Sequence, residues 1–154
     1  MTIDNTNNDI LLISVKPQYA IKIFSGEKTI ELRKSAPKKA GKNSYIIIYV
    51  TAPVKEIWGI CKIENIITEN PNSLWRNFGD KTGISESEFK NYYGENKKAF
   101  GIKLKDVSKL FKYSLKLDIL KSLFPEFMPP QTYCYIDKNS IKYSKLKELI
   151  LANQ

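Results

Sequence analysis

The chain of 154 residues contains no histidine. That absence removes Ser-His-Asp and Cys-His nucleophilic systems, imidazole proton transfer and the common zinc sites. Any catalysis falls to Lys, Tyr, Glu, Asp, Ser or Thr. No metal site and no cofactor is implied. Cysteine is scarce too: Cys61 and Cys134 sit in the apolar, strand-like stretches "WGICKIENI" and "QTYCYI". They read as buried, reduced thiols, which suits a cytoplasmic setting, and a disulfide between them requires neighbouring strands. No apolar run approaches the ~18 residues that span a bilayer, so no membrane partner is expected. The opening "MTIDNTNND" lacks the basic and apolar regions of a secretory signal. Internal repeats, low-complexity tracts and clear linkers are also missing.

What is present is aromatic and basic. Nine Tyr and seven Phe within a 42% hydrophobic composition indicate a globular chain. Its length suits one domain over residues 10–154 behind a disordered polar leader, 1–9. A formal charge of +9 favours a polyanionic partner, with nucleic acid first. The alternative is a lysine-rich surface that only confers solubility.

"ILLISV" (10–15) reads as a buried strand. Pro17 suits the first position of a helix, Tyr19, Ala20, Ile23 and Phe24 recur at helical spacing, and Gly26 can close it. "KTIELRK" then reads as a strand and "SAPKKAGKN" (35–43) as a loop. With Arg33 and Lys34 this loop makes a basic stretch without acids, either a solvated loop or a phosphate-contacting arm. "SYIIIYV" (44–50) is a central strand, apolar on both faces. In "VKEIWGICKIENIIT" (54–68), Gly59 marks a bulge or a close backbone approach. Two short helices follow: one capped by Asn70-Pro71 and running to Gly79, one opened by a Ser85–Glu88 capping box and stopping at Gly94. "KAFGIKLKDV" (98–107) is a half-buried strand, and "SLKLDILKSLF" (114–124) is strand then helix. "PPQTYCYI" (129–136) enters a strand, and Tyr143, Leu146, Leu149 and Ile150 mark a docked terminal helix. Roughly six strands with inserted helices predict an α+β fold built on a small mixed β-barrel.

The chemistry concentrates in "SGEKTIELRK" (25–34). Successive side chains of a strand point to opposite faces, so Ile30 and Leu32 face a core while Thr29, Glu31 and Arg33 share the other side. Lys28 has the parity of Ile30 and joins Glu31 and Arg33 only from the turn. A Glu beside two cations stays ionised and can accept from the amino edge of a base. Arg offers a fork to phosphate or to a base edge. The competing reading is a surface ion pair of little energetic weight. Lys16, Tyr49, Thr51, Gln131 and Tyr133 are further candidates for the same cleft, because Tyr and Gln can stack on and pair with an exposed base. Trp58 and Trp75 lie in apolar patterns and read as core anchors.

Three stretches, "LISVKPQYAIKIFSGEKTIELRK", "IIIYVTAPVKEIWGICKI" and "MPPQTYCYI", resemble the ASCH-domain family of the PUA-like superfamily. Gly26, Lys28, Glu31 and Arg33 match that family's hallmark segment. The resemblance covers nearly the whole chain after residue 10. It implies a small β-barrel with a cleft beside the helix that precedes the hallmark strand. It also implies RNA binding, coupling to translation or transcription, and in some members hydrolysis, with Lys28, Glu31 and Arg33 lining the cleft. The acetylcytidine amidohydrolases of this family carry a Lys in the hallmark turn, a Thr further along the strand and a later Glu. Lys28 matches the first. Glu31 stands in place of the Thr, and the later Glu has no counterpart.

Two functions therefore stand as expectations. The first is a binding module for RNA or a nucleotide, with DNA as a further candidate. The second is a metal-independent hydrolase or ribonuclease in which Lys28 is base or nucleophile and Glu31 relays a proton. A third, a protein-interaction adaptor, is marked by nothing except lysine-rich, capped peripheral elements.

Overall fold

The computed structural model describes residues 9–110 and 115–152. All of the leader except Asp9 lies outside them, as does Ser114. The described chain runs β1 (Ile10–Val15), α1 (Pro17–Ser25), β2 (Ile30–Arg33), β3 (Tyr45–Val50), β4 (Glu56–Glu69), α2 (Pro71–Phe78), α3 (Glu86–Tyr93), β5 (Ala99–Lys109), β6 (Leu115–Lys116), α4 (Leu117–Leu123), β7 (Tyr133–Ile136) and α5 (Ile141–Ala152). A 3₁₀ turn, Gly79–Lys81, joins α2 toward α3.

The strands form one mixed sheet in the order β2-β5-β4-β3-β1-β7, with the short β6 added to β4. Among the described residues, only β1 and β3 pair in parallel. They are buried along their whole length, which explains why both read as near-continuous apolar runs, broken only by Ser14, rather than alternating ones. Their side chains divide by parity. Ile10, Leu12, Tyr45, Ile47 and Tyr49 join a core closed by α4 and α5. Leu11, Ile13, Val15, Ile46, Ile48 and Val50 join a second core closed by α1.

The sheet is a curled half-barrel, and side chains link its two ends. β2 lies at one end of the strand order, with β1 and β7 at the other. Yet Arg33 Nη2 reaches the carbonyl of Ser14 in β1, and the loop after β2 meets Tyr133 and Tyr135 in β7. The long β4 makes this curl feasible. Its register skips Trp58 against β3 and shifts twice more against β5, and each such bulge bends and twists the strand.

Local signals place the helices. Pro17 opens α1, and Gly26 closes it in a left-handed conformation with φ 85°. Asn70 Oδ1 accepts from the Ser73 N–H at the start of α2, and the Ser85–Glu88 capping box opens α3. α2 and α3 pack on Ile30 and Leu32 through Leu74, Phe89 and Tyr93, forming a third apolar cluster. Trp75 is half-buried against this cluster, and Trp58 is half-buried against the α1 core. The two cysteines lie on β4 and β7, which are not neighbours, and both are free thiols. No described helix is long and apolar enough to cross a membrane.

Candidate functional site

β2 pairs with β5 so that Glu31 sits opposite Ile102, and directly opposed residues share a face. Ile102 belongs to the α1 core. Glu31 and Arg33 therefore point toward the rim of that core, while Ile30 and Leu32 point toward α2 and α3. The Arg33 guanidinium lies 3.4 Å from the Glu31 carboxylate, and the two side chains are only 11% and 12% exposed. Arg33 Nη2 also donates to the Ser14 carbonyl at 3.4 Å. This leaves Glu31 Oε2 and Arg33 Nε buried with no hydrogen-bond partner among the described residues.

Lys28 lies in the turn before β2 and is 3% exposed. Its Nζ donates to the Thr82 carbonyl, and its backbone N–H to the Lys22 carbonyl. The segment after the 3₁₀ turn wraps tightly over it. Gly83 has φ 71°, and a Cβ there would stand 2.9 Å from Lys28 Cβ, so only glycine fits. Burial pushes the Lys28 pKa below its ordinary value; Glu31 opposes that shift, while Arg33 and Lys22 add to it.

Lys28 and Glu31 line a cavity of about 110 Å³ together with Tyr19, Leu32, Ile84, Glu88 and Tyr92. Tyr19 comes from α1, and Glu88 and Tyr92 from α3. The Tyr19 hydroxyl donates to Glu88 Oε2 at 3.1 Å, bridging the two helices across the cavity. Desolvation first, and this bond second, raise the Tyr19 pKa. Hydrogen bonds from Ser85, then from Tyr19, lower that of Glu88. The Tyr92 hydroxyl donates to the Leu32 carbonyl and the Tyr93 hydroxyl to that of Arg33, so α3 holds the backbone of β2.

The other sequence candidates fall elsewhere. Tyr49 is 3% exposed and points into the opposite core, where its ring centroid lies 6.4 Å from that of Phe127. Burial raises its pKa. It does not join Lys28, Glu31 and Arg33, because its strand parity is that of Tyr45 and Ile47. Lys16 is exposed at the cap of α1, and Thr51 is half-buried with its N–H on the Val15 carbonyl. Gln131 is exposed in a segment that Ser14 holds through the carbonyls of Pro130 and Thr132. Lys16, Thr51 and Gln131 thus gather around the C-terminal end of β1. Tyr133 is half-buried beside Ser35, at 3.4 Å between hydroxyls. A groove of about 370 Å³ near Thr51 is lined by Lys55, Lys116, Asp118 and Lys121. Sequence reasoning missed Tyr19, Glu88 and Tyr92 as cavity residues. Tyr19 looked like part of an apolar helix stripe and Glu88 like a capping residue, and neither pattern signals a ligand.

Comparison with known proteins gives this geometry a family. A family model described as a domain of unknown function, DUF365, matches residues 11–119. An ASCH domain-containing ribonuclease of Zymomonas mobilis is 34% identical over 127 residues, covering 82% of this chain and 84% of the relative. The crystal structure of ASCH from Zymomonas mobilis superposes with a TM-score of 0.81 at 31% identity, over 93% of this chain and 95% of that one. Large ribosomal subunit protein uL22 of Ureaplasma parvum is 27% identical over 117 residues, 75% of this chain but only 36% of that protein. The N-terminal domain of Staphylothermus marinus McrB shares the fold at a TM-score of 0.58 and 14% identity, covering all of this chain and 99% of that one. By identity and coverage the chain belongs to the ASCH-domain family, and by the family model to DUF365.

Proposed function

We propose that the protein binds single-stranded RNA and takes the edge of one nucleobase into the cavity between α1, β2 and α3. The observation that carries this reading is the pair of unsatisfied atoms, Glu31 Oε2 and Arg33 Nε. A buried polar atom without a partner costs about 1–3 kcal/mol. A base edge that presents a donor satisfies Glu31 Oε2 at the cavity lining; Arg33 does not line the cavity, so an adjacent acceptor reaches its Nε only if the ion pair shifts on binding. The cavity is smaller than the roughly 300 Å³ at which drug-sized pockets begin, so it suits a base edge rather than a whole nucleotide. Tyr19 and Tyr92 supply aromatic walls, and the +9 charge supplies salt-sensitive attraction to phosphate. The relative named as a ribonuclease supports an RNA ligand.

The same relative favours a second reading, RNA cleavage. Neutral Lys28, favoured by its lowered pKa, would take the proton of a 2′-hydroxyl as that oxygen bonds to phosphorus, and Glu31 would relay the same proton from Lys28 to the 5′-oxygen as the P–O5′ bond breaks. Binding ranks first because Lys28 is nearly sealed and already engaged with Thr82. That suits a fixed donor better than a mobile base.

Titration of a labelled single-stranded RNA at low and high salt, followed by fluorescence anisotropy, tests the first reading. The wild type binds at low salt, and Arg33→Glu binds at least tenfold more weakly while still melting cooperatively. No binding at low salt, or binding indifferent to Arg33→Glu and to the milder Arg33→Gln, overturns it. Gel analysis of the same samples tests the second. Cleavage that survives Lys28→Ala removes the Lys28 mechanism.

A further inference from the structure

We infer that segment 34–42 is a preformed arm that carries the phosphates flanking the bound base, along Lys34, Lys38 and Lys39 and past Tyr133 and Tyr135. This rests on the RNA-binding reading of the cavity. Residues 33–42 contain five cations and no acid. Within the loop, Pro37 and Ala40 are buried, Ala40 against the α1 core, whereas Lys34, Lys38 and Lys39 are exposed. Apolar anchors thus fix the backbone and turn the lysines outward.

The loop belongs to no ladder, yet hydrogen bonds hold it. The Lys38 N–H donates to the Tyr135 hydroxyl at 2.6 Å, and Gly41 and Ser44 tie its far end at 2.9 Å. Preorganisation of this kind lowers the ordering cost of binding. The path is continuous with the cavity: Lys34 Nζ lies 4.8 Å from the ring centroid of Tyr92, a cavity wall, and Lys39 Nζ lies 5.8 Å from that of Tyr135. None of the three lysines forms an ion pair with a described residue. Like charges held together without acids repel, and a polyphosphate chain relieves that repulsion by displacing counterions. The half-buried Tyr133 and Tyr135 place aromatic surface beside the same cations, the pairing that single strands use for base and backbone.

The test uses the full chain, a labelled single-stranded RNA dodecanucleotide and affinity measured across a salt series. Lys38→Gln/Lys39→Gln is compared with Lys145→Gln/Lys147→Gln on α5, which packs on the other face of the sheet and loses the same charge. The arm variant should flatten the slope of log K against log salt by about 1.4, the loss of two phosphate contacts at ~0.7 each. The α5 variant should leave the slope unchanged. Equal slopes in the two variants overturn the arm while Arg33-dependent binding keeps the cavity. A flattened slope together with indifference to Arg33→Glu keeps the arm and overturns the cavity. No binding of the dodecanucleotide by the wild type overturns both.

Discussion

On one side of β2, Ile30 and Leu32 press into Leu74, Phe89 and Tyr93 and exclude water. On the other side of the same strand, Glu31 and Arg33 are almost as hidden but leave two polar atoms unanswered. The first face is what burial ordinarily selects, because apolar area removed from water contributes about 25 cal/mol per Å². The second face is what burial ordinarily rejects. A buried ion pair is often no more stabilising than a well-packed apolar pair of the same volume. The contrast teaches that one face of β2 fixes the strand, while the other holds buried polar atoms that the proposed RNA ligand would satisfy.

The comparison can be broken most forcefully at Arg33. Arg33→Met leaves the Glu31 carboxylate without its cation. Urea unfolding should show a loss on the order of 3 kcal/mol, reduced from the fully buried limit by the residual exposure of the pair. The apolar face answers differently. Ile30→Ala should cost about 3 kcal/mol of stability through the cavity it leaves, yet RNA affinity per folded molecule should not change. Tyr92→Ala tests the shared wall. Its cost should appear in binding, at roughly 1–3 kcal/mol if a base stacks there, as read by anisotropy.

Lys28 gives the comparison a pH dependence. Its folded pKa lies below the ordinary 10.5, so the folded state sheds this proton before the unfolded state does. Between the two values the unfolded chain binds more protons, and stability rises with pH. Wild type should therefore gain urea stability relative to Lys28→Met as pH climbs from that lowered value toward 10.5. A parallel pair of pH profiles would show that Lys28 is not desolvated. The smallest effect is expected at the α3 cap, which serves both faces. Ser85→Ala removes the hydroxyl that accepts from the Glu88 N–H, costs about 1 kcal/mol in urea unfolding and weakens RNA binding only slightly.

Much of the scaffold was legible because its signals are local. Pro17 and Gly26 bound α1, Asn70 and the Ser85–Glu88 box open α2 and α3, and alternation in "TIELR" separates the two faces of β2. The parity of Lys28 placed it in the turn if it was to join Glu31 and Arg33, and it lies in the turn before β2. Other features depend on what the chain brings together. "YIIIYV" is apolar on both faces, so its composition cannot say which core Tyr49 enters. The cavity wall formed by Tyr19, Glu88 and Tyr92 requires α3 to dock against α1, a contact across 69 positions of sequence. The link between the ends of the sheet, through Arg33 and Ser14, likewise has no local signature.

The most direct measurement uses the double variant Glu31→Leu/Arg33→Met, which replaces the buried pair by apolar side chains. Unfolding and RNA binding are measured on one preparation. Stability at or above that of the wild type, together with loss of RNA binding, is the predicted result. Unchanged RNA affinity in a stably folded double variant would contradict it, because the charged face of β2 would then have no ligand to hold.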